Sequence, residues 1–174
     1  MRAAVLLVAL LAAGCAQIAQ APLTGPSPAP PATVDLVLID KSDRTLTLYS
    51  ASRSISRFTG LQYGDAPQGH KQFEGDERTP EGRYTIDNRN PRSAYHLSLH
   101  ISYPNAADRA FAEGQGRSAG GEIFIHGQPN ALADADRGAR IAGDWTDGCI
   151  ALSNREIEAL WQLVADGTPI EIRP

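Results

Sequence analysis

Apolar and β-branched positions fall in short runs along most of this chain, and a single long stretch follows helical spacing. Val34-Asp35-Leu36-Val37-Leu38-Ile39 is a short apolar run, Asp40 to Asp43 supplies turn residues, and Thr45-Leu46-Thr47-Leu48-Tyr49 alternates with period two, which predicts a hairpin. Ile55 to Thr59 predicts a third strand. Arg83 to Ile86 and Tyr95 to Tyr103 predict two more, the second alternating Tyr95, Leu97, Leu99 and Ile101, and Glu122 to His126 predicts a buried strand ending at a histidine. Gly60 to Gly82 carries the turn-forming residues of a long loop, Ala106 to Ala112 predicts one or two helical turns, and Gly114 to Gly121 is glycine-rich. The long helix starts at Ser153, with Glu156 at capping-box spacing. Ile157, Leu160, Trp161 and Val164 share one face, Asp166-Gly167 predicts the stop, and Thr168 to Ile172 a closing strand. Many short strands with one or two helices predict a mainly β, sandwich- or barrel-like domain over 34–174.

The rest of the 174 residues reads differently. Met1-Arg2 precedes an apolar run, Ala3 to Ala13, then Gly14-Cys15-Ala16. One positive charge, a short hydrophobic stretch and small residues form the pattern of a secretory signal over 1–15, too short to span a bilayer. Leu11-Ala12-Ala13-Gly14-Cys15 also resembles a bacterial lipobox, with Cys15 as the lipidated residue and Ala12 where leucine is usual. Either route predicts export to the periplasm or cell envelope, and membrane attachment only through such an anchor. Residues 16–33 are uncharged and rich in proline and alanine, the composition of an extended tether. A net charge of −4 with no basic run argues against nucleic acid as a partner.

Two residues carry the candidate chemistry. Cys149 lies in Asp144-Trp145-Thr146-Asp147-Gly148-Cys149-Ile150, on a polar turn ahead of the capped helix, and the other cysteine, Cys15, belongs to the leader. A leftover cysteine in an exported protein points to a reactive thiol or an intermolecular pair. The thiolate is the nucleophile, and the dipole of a helix starting several residues later does not reach it, so a base must come from elsewhere. His126, closing a strand before Gly127, is the candidate base. His96, on an alternating strand, could line the cleft, but packing or a solvent-facing place is the expected role for it and for His100 at the strand's other end; His70 lies in the polar loop, where solvation is expected. Asp144 and Asp147 are acceptors that could orient an imidazole. A zinc site of His126, Cys149 and an aspartate can be drawn, but the spacing lacks a paired-ligand signature, so no metal is expected.

His126-Gly127, a loop, then Thr146-Asp147-Gly148-Cys149-Ile150 with Asn154 downstream resembles the signature of YkuD-type L,D-transpeptidases. The likeness extends to the opening hairpin, to Gly75-Asp76-Glu77-Arg78-Thr79-Pro80-Glu81-Gly82 and to Ile101-Ser102-Tyr103-Pro104-Asn105. It implies a β-sandwich-like domain acting on peptidoglycan without a cofactor. Cys149 would attack the carbonyl of the third stem-peptide residue and His126 would take its proton. Backbone N–H groups of Gly148 and Cys149 would steady the oxyanion, and Gly127, Trp145, Thr146, Asp147 and Asn154 would line the substrate cleft. The acyl group would pass to a second stem peptide, a lipoprotein lysine or water. An L,D-carboxypeptidase, a hydrolase of the lipoprotein–peptidoglycan linkage and a non-catalytic wall-binding module are the alternatives. Two positions depart from the pattern: Asp147 stands where many members have histidine, and Ala151 where many have an arginine able to hold a carboxylate. Arg137, Arg140 or Arg155 are the cations that could substitute.

Overall fold

The alternating run at Thr45 lies inside a curled, eight-stranded sheet. The computed structural model describes residues 33–132 and 137–174, so the expected leader, lipidated Cys15 and tether lie outside the described residues, apart from Thr33. The strands are β1 (Leu36–Asp40), β2 (Thr45–Ser50), β3 (Arg53–Thr59), β4 (Gly82–Ser93), β5 (His96–Ile101), β6 (Ile123–His126), β7 (Ile150–Ala151) and β8 (Thr168–Arg173). Two α-helices join them, α1 (Ala106–Gly114) and α2 (Asn154–Leu163), with a 3-10 turn at Asn130–Leu132. The spatial order is β3-β2-β1-β8-β4-β5-β6-β7. Past β3 the chain runs to the opposite end of that order, where Gln62 and Ala151 exchange N–H···O bonds of 3.1 and 2.9 Å. This pairing curls the sheet toward a barrel, and the mainly β class read from the pattern holds.

Period-two alternation fills the interior. Val37 and Ile39 of β1, Leu46 and Leu48 of β2, Leu99 and Ile101 of β5, and Ile170 and Ile172 of β8 are all essentially buried. α2 packs on β5 and adds Ile157 and Leu160 to the same core. Its capping box forms as expected: Glu156 N–H donates to Ser153 Oγ at 3.4 Å and Ser153 N–H to Glu156 Oε2 at 2.9 Å.

Three elements differ from the sequence expectation. α2 stops at Leu163, with Val164 already extended, so Asp166-Gly167 forms the turn into β8 rather than the helix stop; Gly167 takes φ +89° there. β4 runs on from Ile86 to Ser93 through residues that read as turn formers, because beyond Ile86 it pairs only with β5, across two register shifts. Pro91 is tolerated on that irregular margin. β7 is two residues long and escapes any periodicity test.

Candidate active site

β6 and β7 bring the thiol and the imidazole together. They pair in parallel, with Ile125 opposite Ile150 and His126 opposite Ala151. Ile125 and Ile150 point into the core. By alternation, Phe124 and His126 share the opposite face of β6, and Cys149, immediately before β7, lies beside Phe124 on that same face. Phe124 N–H donates to Cys149 Sγ at 3.4 Å, and the thiol donates to Glu122 O at 3.6 Å. Cys149 and His126 line one cleft of about 860 Å³, with Trp145, Thr146 and Asp147 in its wall.

The imidazole is held on three sides. His126 Nδ1–H donates to Gly127 O at 2.7 Å, which leaves Nε2 as the acceptor nitrogen. The Tyr95 ring lies 4.7 Å and the Trp145 ring 5.5 Å from the histidine ring, centroid to centroid. With only 3% of its surface exposed, burial pushes the imidazole pKa below its ordinary value, against the opposing pull of the Gly127 carbonyl. Burial also pushes the Cys149 thiol up; the Phe124 N–H and Lys71 work against this, while Asp147 and Glu122 reinforce it. Both shifts favour the neutral forms near pH 7, a thiol and an unprotonated imidazole rather than a preformed ion pair.

The turn before the thiol is pinned from two directions. Thr146 Oγ1 donates to Cys149 O at 2.8 Å and accepts from Gly148 N–H at 3.3 Å. Thr79 Oγ1 donates to Gly148 O at 2.9 Å, which fastens the loop before β4 onto the turn. Gly148 has φ +117°, and a Cβ there would meet Arg78 O at 2.5 Å. Gly148→Ala is expected to cost on the order of 2–4 kcal/mol, combining backbone strain with the clash. Urea unfolding of the two proteins measures it, and a shift below ~1 kcal/mol would show that the loop yields to the methyl group.

The remaining sequence candidates take other places. Gly127 and Asn154 lie outside the cleft wall. Asn154 Oδ1 accepts from Gln128 N–H at 2.8 Å and would sit 2.5 Å from a Cβ on residue 127, so the pair ties the end of β6 to the start of α2. Asp144 does not orient the imidazole. Arg44 grips it through two bonds of 2.7 Å, it also accepts from Tyr63 N–H at 2.9 Å, and the orienting group of His126 is the Gly127 carbonyl. His96 pairs with Glu158 at 2.7 Å and His100 with Asp87. His70 is bonded on both nitrogens rather than solvated: Glu81 N–H donates to Nδ1 at 2.9 Å, so Nε2–H donates to Asp108 at 3.1 Å. Tyr95 and Lys71 also line the cleft, and neither carried a motif of its own.

The curled β sheet thus presents a cysteine and a histidine to one cleft. Residues 35–172 match the YkuD family, described as the L,D-transpeptidase catalytic domain. The chain belongs to that family. It is 29% identical over 135 residues to YafK of Escherichia coli (strain K12), covering 74% of this chain and 46% of YafK. It also resembles the helical cell shape determining protein Pgp2 of Campylobacter jejuni, with 31% identity, a TM-score of 0.63, and coverage of 81% of this chain and 48% of Pgp2. An L,D-transpeptidase from Mycobacterium smegmatis shares the fold at 17% identity and a TM-score of 0.51, over 82% of this chain and 59% of the other. The chain thus spans about half the length of YafK and Pgp2.

Proposed function

We propose that this is an exported L,D-transpeptidase that works through a cysteine thioester on peptidoglycan stem peptides. The observation that carries the reading is the placement of Cys149 and His126 on one face of the β6–β7 pair, in one cleft. His126 Nε2 takes the thiol proton as sulfur attacks the carbonyl of the third stem-peptide residue, usually diaminopimelate. N–H groups of Gly148 and Cys149 steady the oxyanion. Collapse breaks the bond to the terminal D-alanine, whose amine leaves with the proton from the imidazolium. An amine of a second stem peptide, or a lipoprotein lysine, then attacks the thioester, and its proton returns through His126 to the sulfur. Trp145, Thr146 and Asp147 flank the reacting carbonyl, and no cofactor enters. Cys15, as a lipidated N-terminus, would hold the domain at a membrane surface.

Ala151 favours a second reading. It is fully buried and its backbone is spent on Gln62, so β7 carries no guanidinium to grip a substrate carboxylate. With a looser hold on the second peptide, water becomes the acceptor, giving an L,D-carboxypeptidase or a hydrolase of the lipoprotein–peptidoglycan linkage. Incubation of the purified protein with disaccharide-tetrapeptide separates the outcomes by mass spectrometry. Transpeptidation releases D-alanine and gives a crosslinked dimer, whereas D-alanine with free tripeptide alone means carboxypeptidase. Binding without turnover would replace both readings with that of a wall-binding module.

A further inference from the structure

The cleft around Cys149 holds one cation among the described residues, and it is none of the arginines suggested by the sequence. Arg137 pairs with Glu158, Arg140 bonds Thr59 O and Glu156, Arg155 is exposed, and none of them lines the cleft. The cation in the wall is Lys71, only 2% exposed. Its Nζ donates to Asp76 Oδ1 at 2.9 Å and to Phe73 O at 3.1 Å. An ammonium has three N–H donors, so one remains after these two bonds.

The charge around it makes that remaining donor consequential. Asp76 also accepts from the N–H groups of Gln72, Phe73 and Arg78 at 2.7, 3.0 and 3.2 Å. Its charge is therefore spread over the loop rather than reserved for Lys71. Burial raises the Asp76 pKa, but these bonds outweigh it and hold the carboxyl ionised. The other charged groups in the wall are carboxylates: Glu74, Glu77, Glu122 and Asp147. A carboxylate entering this cleft is repelled along most of the wall and meets a compensating charge in one place.

We propose that Lys71 is the carboxylate anchor of the cleft, binding a carboxylate of the stem peptide through its third N–H. From the loop before β4, it supplies the positive charge that Ala151 does not supply from β7. The inference rests on the stem-peptide reading above and deepens it. Two carboxylates could occupy the anchor: that of the terminal D-alanine and that on the side chain of the third residue.

Calorimetric binding to the inert Cys149→Ala protein tests this with three peptides: the tetrapeptide acid, its C-terminal amide, and an analogue with lysine in the third position. Lys71→Met is expected to weaken the acid at least tenfold, and Lys71→Arg to restore most of the affinity. The peptide lacking the anchored carboxylate should bind the Lys71 protein weakly and be indifferent to Lys71→Met, which identifies the carboxylate. Equal weakening of all three peptides would reduce Lys71 to a loop pin and overturn the proposal. So would equal affinity of all three for the Lys71 protein, a result that needs no Lys71 variant to fold. Failure of all three peptides to bind would remove the stem-peptide reading and this inference together, whereas binding that ignores Lys71 removes only the latter.

Discussion

Cys149→Ala is expected to abolish covalent labelling by a carbapenem and all turnover of disaccharide-tetrapeptide, while the domain stays folded. The sulfur is the single free cysteine thiol among the described residues. Its structural contacts are slight, an N–H from Phe124 at 3.4 Å and a weak bond to Glu122 O at 3.6 Å. Removing a partly buried thiol that makes two such bonds costs about 1 kcal/mol. The turn keeps its shape through Thr146 Oγ1 to Cys149 O and Thr79 Oγ1 to Gly148 O, bonds that the substitution leaves in place. Intact-mass spectrometry after incubation with the drug should show a single adduct on the parent protein and none on the variant. An adduct that survives in Cys149→Ala would place the nucleophile elsewhere. An unlabelled parent that still binds sacculi would support the wall-binding module instead.

The sequence shows what the site is made of better than how it is assembled. The β1–β2 hairpin, the β6 strand and the capped start of α2 follow local rules, period two for the strands and Ser153 with Glu156 for the helix, and they form where those rules put them. β7 follows no such rule. Two residues form a strand there because β6 on one side and Gln62 on the other offer main-chain partners, and pairing of this kind leaves no periodicity in the sequence. The consequence reaches the chemistry, since this pairing is what sets Cys149 beside Phe124.

Asp144 and His70 show the same limit among polar residues. Each has a type and position that suit more than one role, and the partner that decides comes from far along the chain: Arg44 for Asp144, and Asp108 with the Glu81 N–H for His70. Lys71 is the extreme case. It stands in a loop that reads as solvated, yet Asp76 gathers that loop into a knot and Thr79 fastens it to the turn before Cys149, so the lysine ends up buried in the cleft wall. A charge is legible from sequence, but its burial depends on the fold around it.

His126→Ala should slow acylation of Cys149 at pH 7 by about a hundredfold or more, as loss of a general base does, with the fold retained. The reason lies in the resting charges. Burial holds the thiol above its ordinary pKa, so spontaneous thiolate is scarce at neutral pH; in the proposed mechanism Nε2, left free of the Gly127 bond, removes the proton as the bond forms. The pH profile should separate the two proteins more sharply than the rate. In the parent, acylation falls on acidification only when the imidazole protonates, and burial sets that limb below the ordinary imidazole value of about 6.5. The variant should lose this limb, its rate rising with pH through the raised thiol pKa. The same shift has a sign in stability. A histidine whose folded pKa is depressed contributes nothing to pH dependence above its unfolded value. Below that value the unfolded chain binds the proton first, so stability declines as pH falls from about 6.5 through the depressed folded value. His126→Ala should remove that component of the decline in pH-dependent unfolding. Normal acylation in the variant, or an acid limb that persists unchanged, would assign the base to another group.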